Sequence, residues 1–359
     1  MAASPYEGLE PRAYWRTAVA TRGPGRLRDL YDPRFRIGRD MRVFTAGSCF
    51  AQHVHRALAG AGFAVIDQEP APASVPAEVS ERFFYGSFSA RFGNIYTSRQ
   101  FRQLIEEAAG SHEPAHPVWQ RDARYYDALR PNVDPGGYAS AEAVLAARKD
   151  HLGAVAEALT AADVVVFTLG LTETWEDRAS GTVYPTAPGV IADAPEGAEI
   201  GFLNLGHDQI VDDLRLVLAH LRALRPDVKL LLTVSPVPLT ATATGGHVLV
   251  ASTASKAILR AAVATLMAED EGVDYFPSYE IITNPAARGN FFASNLRSPS
   301  ATGVRIVMEQ FLRAQNVELD ARGPVDASEN AVALDEDGAF DAICEEVLND
   351  PSLRKSGGA

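Results

Sequence analysis

Two periods of apolar residues alternate along this chain. Residues 43–46 form a short, mostly apolar run closed by Gly47, after which Phe50, Val54, Ala57 and Leu58 recur at helical spacing up to the Gly60-Ala61-Gly62 stop. That pattern predicts strand, sharp turn, helix. A second short strand is expected over 63–66, then a polar and aromatic stretch with little periodicity (67–97) and a helix over about 98–109. A loop rich in Pro, Gly and Tyr separates this helix from the next, at 140–159. Its length suggests substrate work rather than mere connection. The apolar run 162–170, bounded by turn residues, reads as a central parallel strand covered on both faces. Further along, the pattern gives a helix over 209–224, a strand over 230–235, a helix over 252–267, a strand from 273 to 276 and a closing helix over 303–314.

Strands alternating with helices imply an α/β fold, a three-layer sandwich with a central parallel sheet and loop insertions. In such sheets ligands gather at the carboxyl ends of the strands. The chemistry is therefore expected just after Ala46, Leu169, Ser235 and Phe276. Residues 1–40 read as an N-terminal extension, 41–315 as the catalytic domain and 316–359 as an acidic tail with a short amphipathic helix near 340–348. The tail holds eleven Asp and Glu against three Lys and Arg, so it reads as a solvated segment or as a peptide for a protein partner.

Composition narrows the function classes. With 47% hydrophobic and 22% charged residues, the chain is ordinary for a globular enzyme. A net charge of −13 argues against nucleic acid and anionic membrane as partners, since phosphate binding needs a basic face. Charges and a proline within residues 1–16 do not fit a signal peptide, and no run is expected to span a membrane. The expected location is the cytoplasm. Two cysteines, Cys49 and Cys344, give no disulfide framework and leave Cys49 available for chemistry. There is no Walker loop or Gly-x-Gly-x-x-Gly after any strand, and His53 and His55 lack partners at zinc spacing. No cofactor or metal is expected.

The residues that follow the first strand are Gly47-Ser48-Cys49-Phe50-Ala51. With them stand "FGNIYTSRQ" from Phe92, "VFTLGLTETW" from Val166, "LLTVSPVPL" from Leu231, "HVLVASTASKAILRA" from His247 and "VDYFPSYEII" from Val273. In this order and spacing the chain resembles the GSCFA family, which in turn resembles the SGNH (GDSL-type) hydrolases. The resemblance implies a flavodoxin-like sheet carrying an esterase or acyltransferase site. Laid on the Gly-Asp-Ser block of those enzymes, Gly47 takes the glycine, Ser48 the aspartate and Cys49 the nucleophile position. A helix N-terminus favours a thiolate and an oxyanion, so Cys49 is the first candidate nucleophile, Ser48 the second and inert packing of the thiol the third.

The remaining blocks map unevenly. Gly170-Leu171-Thr172-Glu173 stands for Gly-x-Asn-Asp, with Thr172 as an oxyanion donor or a helix cap and Glu173 as an orienting carboxylate. Gly93 and Asn94 occupy the place of the second oxyanion block, or form a plain turn. The Asp-x-x-His block is absent, since Asn295-Leu296-Arg297-Ser298 has no histidine. His247, on the strand-end rim, and His53, one helical turn beyond Cys49, are the substitute bases, with Glu280 to orient an imidazole. Lys256 is expected to be solvated, and otherwise to neutralise an acidic substrate group or an acyl-carrier phosphate.

Two functions follow. One is acyl transfer, as acyltransferase, cyclase, esterase or thioesterase, on a small-molecule or carrier-protein-bound acyl substrate through a covalent intermediate on Cys49. The other is a non-catalytic binding or scaffold protein on a degenerate hydrolase fold.

Overall fold

The structure is a computed structural model and describes residues 4–27, 29–317 and 349–350. Cys344 and most of the acidic tail lie outside the described residues. The elements in chain order are β1 (Arg42–Gly47), α1 (Ala51–Gly60), β2 (Ala64–Val65), α2 (Ala77–Arg82), α3 (Ser98–Ala108), β3 (Val118–Arg121), β4 (Arg124–Asp127), α4 (Ala141–Ala161) and β5 (Val164–Leu169). They continue with β6 (Glu173–Asp177), β7 (Val183–Tyr184), β8 (Ile200–Asn204), α5 (His207–Leu224), β9 (Lys229–Val234), α6 (Val248–Glu269), β10 (Val273–Phe276), α7 (Ser278–Thr283) and α8 (Ala301–Ala314).

Five strands form one parallel sheet in the order β10-β9-β5-β1-β2. Counted in chain order, this is the flavodoxin-like arrangement 2-1-3-4-5, whose switch point lies between the first and third strands. Here that is the β1/β5 boundary. Side chains alternate across the sheet with period two. Phe44, Ala46, Val165, Phe167, Leu230 and Leu232 face one core with α3 to α6, while Val43, Val164, Val166 and Leu231 face another with α1, α7 and α8. Burial on both faces is what the unbroken apolar runs encode.

Helix α6 alone among the described helices is long and apolar enough to cross a membrane, an exception to the sequence expectation. Its Leu259, Ala262, Val263 and Leu266 pack into the first core.

Two insertions depart from the predicted pattern. The Pro/Gly/Tyr-rich loop folds as the antiparallel hairpin β3–β4, and residues 173–204 form a three-stranded sheet in the order β7-β6-β8. Trp119, Ala128, Tyr184 and Ala192 make a small core shared by the two. The expected helix turn after Thr172 does not form, because Glu173 begins β6.

Candidate active site

The end of β1 is fixed by close backbone approach. Gly47 has φ +138, and a Cβ there would lie 2.5 Å from Thr168 O and 2.7 Å from Thr168 N, so only glycine lets β1 run this tightly beside β5. The Ser48 N–H donates to Thr168 O (3.1 Å), and the chain then turns into α1 through Ala51 N–H to Ser48 O (2.8 Å) and Gln52 N–H to Cys49 O (3.3 Å). Ser48 and Cys49 thus sit at the switch point, where the helix begins. Both are buried, at 2% and 3% exposure. Ser48 Oγ has no hydrogen-bond partner among the described residues, nor has Thr168 Oγ1 on β5.

The loop after Phe92 closes over this turn. Gly93 takes φ +69, the Ile95 N–H donates to Gly47 O (2.8 Å), and Tyr96 O accepts from both Gly170 N–H (2.8 Å) and Leu171 N–H (3.1 Å). Asn94 is buried and borders a small chamber of about 40 Å³, with Arg130, Arg148 and His151 on its other sides. The sequence expectation grouped Gly93-Asn94, Gly170-Thr172 and Ser48-Cys49. They meet at one strand-end rim.

Lys256 departs furthest from expectation. It is buried at 3% exposure, and its Nζ donates to Gly170 O. A Cβ on Gly170 would stand 3.0 Å from Ser48 Cβ, so the amine reaches a carbonyl whose own residue packs on the Ser48-Cys49 turn. Helix α6 delivers it there on the stripe Ser252, Ser255, Lys256, Leu259, Val263, Leu266, all of them buried. That spacing of three and four, visible in the sequence, was the signal for burial.

The other candidates are dispersed. His247 is exposed and caps α6, its Nδ1 accepting from Leu249 N–H (3.1 Å). This is the structural alternative, not a ring poised over the thiol. Glu280 accepts from Arg260 Nε (3.0 Å) and from the Tyr275 hydroxyl (2.7 Å), so both its oxygens serve α6 and β10 rather than an imidazole. His53 stays on the α1 face that leads from Cys49 and packs edge-on to Phe50 at 5.5 Å. Burial, with Arg56 adding to it, pushes its pKa down to about 3, which makes the ring neutral and a weak base. The Thr172 N–H donates to Ser255 Oγ (3.0 Å), so the donor expected of this residue is its side-chain hydroxyl alone. Glu173 accepts from the Thr242 hydroxyl (2.6 Å) and Ala243 N–H (3.1 Å), and so pins the 240–246 loop. Asn295 Nδ2 donates to Ser298 Oγ (3.0 Å) at the position where an Asp-x-x-His pair would stand.

A cleft of about 240 Å³ opens over this rim. Its walls are Trp175 and Phe202 from the β6–β8 insertion, Pro185 and Val190 from the loops beside it, and Thr242 and Ala243 from the pinned loop. Tyr96, Leu171 and Leu239 line it and pack in the same apolar cluster as Cys49. Apolar walls with few polar groups suit a small organic ligand. Sequence reasoning missed these walls, because the insertion supplies them from short strands without a clear period. Among the described residues no group of three or more His, Cys, Asp or Glu is placed to hold a metal ion.

A sheet of flavodoxin-like order with a small-residue turn at its switch point defines the class, an α/β protein of the three-layer kind. The GSCFA family model matches residues 42–311, about three quarters of the chain, and the chain belongs to the GSCFA family. No curated protein matches it significantly. Among solved structures it is similar to a carbohydrate esterase family 3 protein from Talaromyces cellulolyticus, at 13% identity over 77% of this chain and 100% of that one, with TM-score 0.34. It is also similar to a Clostridium thermocellum family 3 carbohydrate esterase, at 10% identity over 76% and 94%, with TM-score 0.33. A candidate GDSL-like lipase from Parabacteroides merdae matches at 14% identity over 79% and 100%, with TM-score 0.34.

Proposed function

We propose that this chain is an acyl-transfer enzyme of the hydrolase type, working through a thioester on Cys49. One observation carries the reading. Cys49 lies in the turn between β1 and α1 at the switch point, with a buried lysine amine on the adjoining strand-end carbonyl and, in its own apolar cluster, the Tyr96, Leu171 and Leu239 side chains that line the cleft. In the first step the Cys49 thiolate attacks the carbonyl of an ester or thioester, and the alcohol or thiol leaves with a proton. In the second, water or an acceptor amine or hydroxyl takes the acyl group and the thiolate returns. Lys256 is the cation that favours the thiolate, and it gives a proton to the leaving group in the first step and takes one back in the second. The positive end of the α1 dipole adds to it for thiolate and oxyanion. The acyl chain lies along Tyr96, Leu171 and Leu239.

The test is the pH dependence of Cys49 alkylation by iodoacetamide in a Cys344→Ala background, followed by incubation with a p-nitrophenyl ester. The expected thiol titrates well below ~8.5, loses that on Lys256→Met, and gains the mass of one acyl group on the Cys49 peptide. A thiol that titrates as an ordinary cysteine and never acylates refutes the reading. A binding role has one observation in its favour, the Asn295–Ser298 pair in place of an acid–base pair, and it predicts ligand retention without turnover.

A further inference from the structure

The cleft carries a charge bias that the acyl chemistry leaves unused. Glu173 and Trp175 stand two positions apart on β6 and so project from one face of the small sheet, and Phe202 on β8 is the register partner of Trp175. The two rings meet edge to face, with centres 5.8 Å apart at 61°, and form a corner of the cleft wall. Glu173 lines the same cleft. Its oxygens take one hydroxyl and one backbone N–H, and it has no ion pair with Lys, Arg or His among the described residues. A carboxylate offers about four acceptor positions, so roughly half of its capacity stays open. No described residue that lines the cleft is Lys, Arg or His.

We infer that this corner is a subsite for an organic cation, so that the substrate carries an ammonium group on an apolar body, seated against Trp175 and Phe202 and neutralised by Glu173. That the occupant is a substrate rests on the function proposed above, whereas the cation preference does not. The chemistry follows from what the walls offer. An aromatic face attracts a cation lying within about 6 Å of the ring centre, more strongly where water is kept out, and the carboxylate beside it supplies the counter-charge. An anion meets Glu173 and is repelled. An uncharged polyol fits less well, since it needs many hydrogen-bond partners and these walls are mostly apolar. The net charge of −13 also draws cations toward the molecule from a distance. Tyr96, Leu171 and Leu239, taken above for the acyl chain, are other walls of the same cleft, so one molecule can touch both sets.

The experiment titrates the full chain, with Cys344→Ala, against choline and against its tert-butyl analogue, in which carbon replaces the charged nitrogen. Calorimetry reads both affinities at about 0.15 M salt, where long-range attraction is screened. Choline is expected to bind about tenfold tighter than the analogue, a preference that falls toward one in Glu173→Gln, and to lose about fivefold in affinity in Trp175→Leu. Glu173 also pins the 240–246 loop, so Trp175→Leu, which leaves the carboxylate and its bonds in place, is the independent variant. Equal binding of the two probes, or indifference to either substitution, overturns the subsite and leaves only the pull of net charge. Acetylcholine and the acetate ester of the analogue then separate this inference from acyl transfer. The acetyl carbon passes to the Cys49 sulfur, and the alcohol leaves with a proton. Faster gain of the acetyl mass on the Cys49 peptide from the cationic ester supports both. Selective choline binding with no acyl gain from any ester keeps the subsite and refutes acyl transfer. Equal gain from both esters keeps acyl transfer and refutes the cation as a substrate feature.

Discussion

Two buried polar regions of this protein are built on opposite rules. Between α3 and α4 nearly every charged atom has a partner. The Asp127 carboxylate accepts from Arg130 Nε (2.7 Å) and Arg148 Nη1 (3.0 Å), Arg148 also grips Glu107 through Nε (2.7 Å), and Arg130 donates to the carbonyls of Arg91 and Ala147 (both 3.0 Å). Glu69 joins through Arg91 N–H (2.6 Å) and His151 Nδ1 (2.6 Å). At the strand ends, by contrast, Ser48 Oγ and Thr168 Oγ1 are buried with no described partner. A buried network with its partners supplied holds structure together, whereas buried polar atoms without partners mark strain or a site that expects a ligand. The first region serves the second. It clamps the long segment 67–97 at Glu69 and Arg91, and that segment ends in the loop that closes over Cys49.

The sharpest way to break this comparison is to remove the centre of the charged network, in which His151 Nε2 is the one named ring atom buried without a described partner. Burial works to raise the Asp127 pKa, and the Arg148 and Arg130 guanidiniums outweigh it, so the group stays charged with its pKa below the ordinary carboxylate value. Asp127→Ala leaves two buried guanidiniums short of their counter-charge. The expected loss is about 3–5 kcal/mol, a large share of a domain's stability. Urea denaturation reads it directly. A loss under ~1 kcal/mol would mean that the network is ornamental.

A second test uses pH. Burial, with Arg56 adding to it, pushes the His55 pKa down to about 4, and burial with Arg130 does the same for His151. Each ring takes up a proton more readily in the unfolded chain than in the fold. Each therefore contributes stability that is complete above pH ~6.5 and is lost as pH falls toward 4. At pH 5 the loss is about 2 kcal/mol for each ring. His55, hydrogen-bonded to Thr45 Oγ1 (2.8 Å) on β1, supports that strand, and His151 supports the clamp. Denaturation curves at pH 7 and pH 5 for the parent chain and His55→Asn separate the two. The variant should lose less on acidification by about that amount.

The same contrast explains what the sequence could disclose. Strands covered on both faces read as apolar runs, so β1, β5, β9 and β10 were legible, and with them the rim where the chemistry gathers. The clamp was not. Glu69 and His151 are 82 positions apart, and nothing local in either sequence neighbourhood announces the other. Lys256 was misjudged for another reason. Its residue type argued for solvent, but its position, four beyond Ser252 and three before Leu259, lies on the buried stripe of α6. The histidines were named from helical proximity in sequence, for His53, and nearness to the rim, for His247, and neither says which atom the ring prefers. His247 gives its ring nitrogen to a helix end instead.

The smallest expected effect is the most discriminating. Ser48→Ala removes a buried hydroxyl that has no described partner, so it takes away a desolvation penalty and costs no hydrogen bond. Stability should stay within about 1 kcal/mol of the parent, in contrast to Asp127→Ala. Geometry should hold as well, since the Ser48 N–H bond to Thr168 O and the φ of Gly47 belong to the backbone. If Cys49 is the nucleophile, the alkylation profile and ester acylation survive this substitution. If instead acylation vanishes while the thiol still alkylates as before, the hydroxyl is the reacting group, and its lack of a partner is the mark of a nucleophile rather than of a packing defect. Thermal denaturation and the acyl-peptide mass, taken on the same preparation, decide between these outcomes.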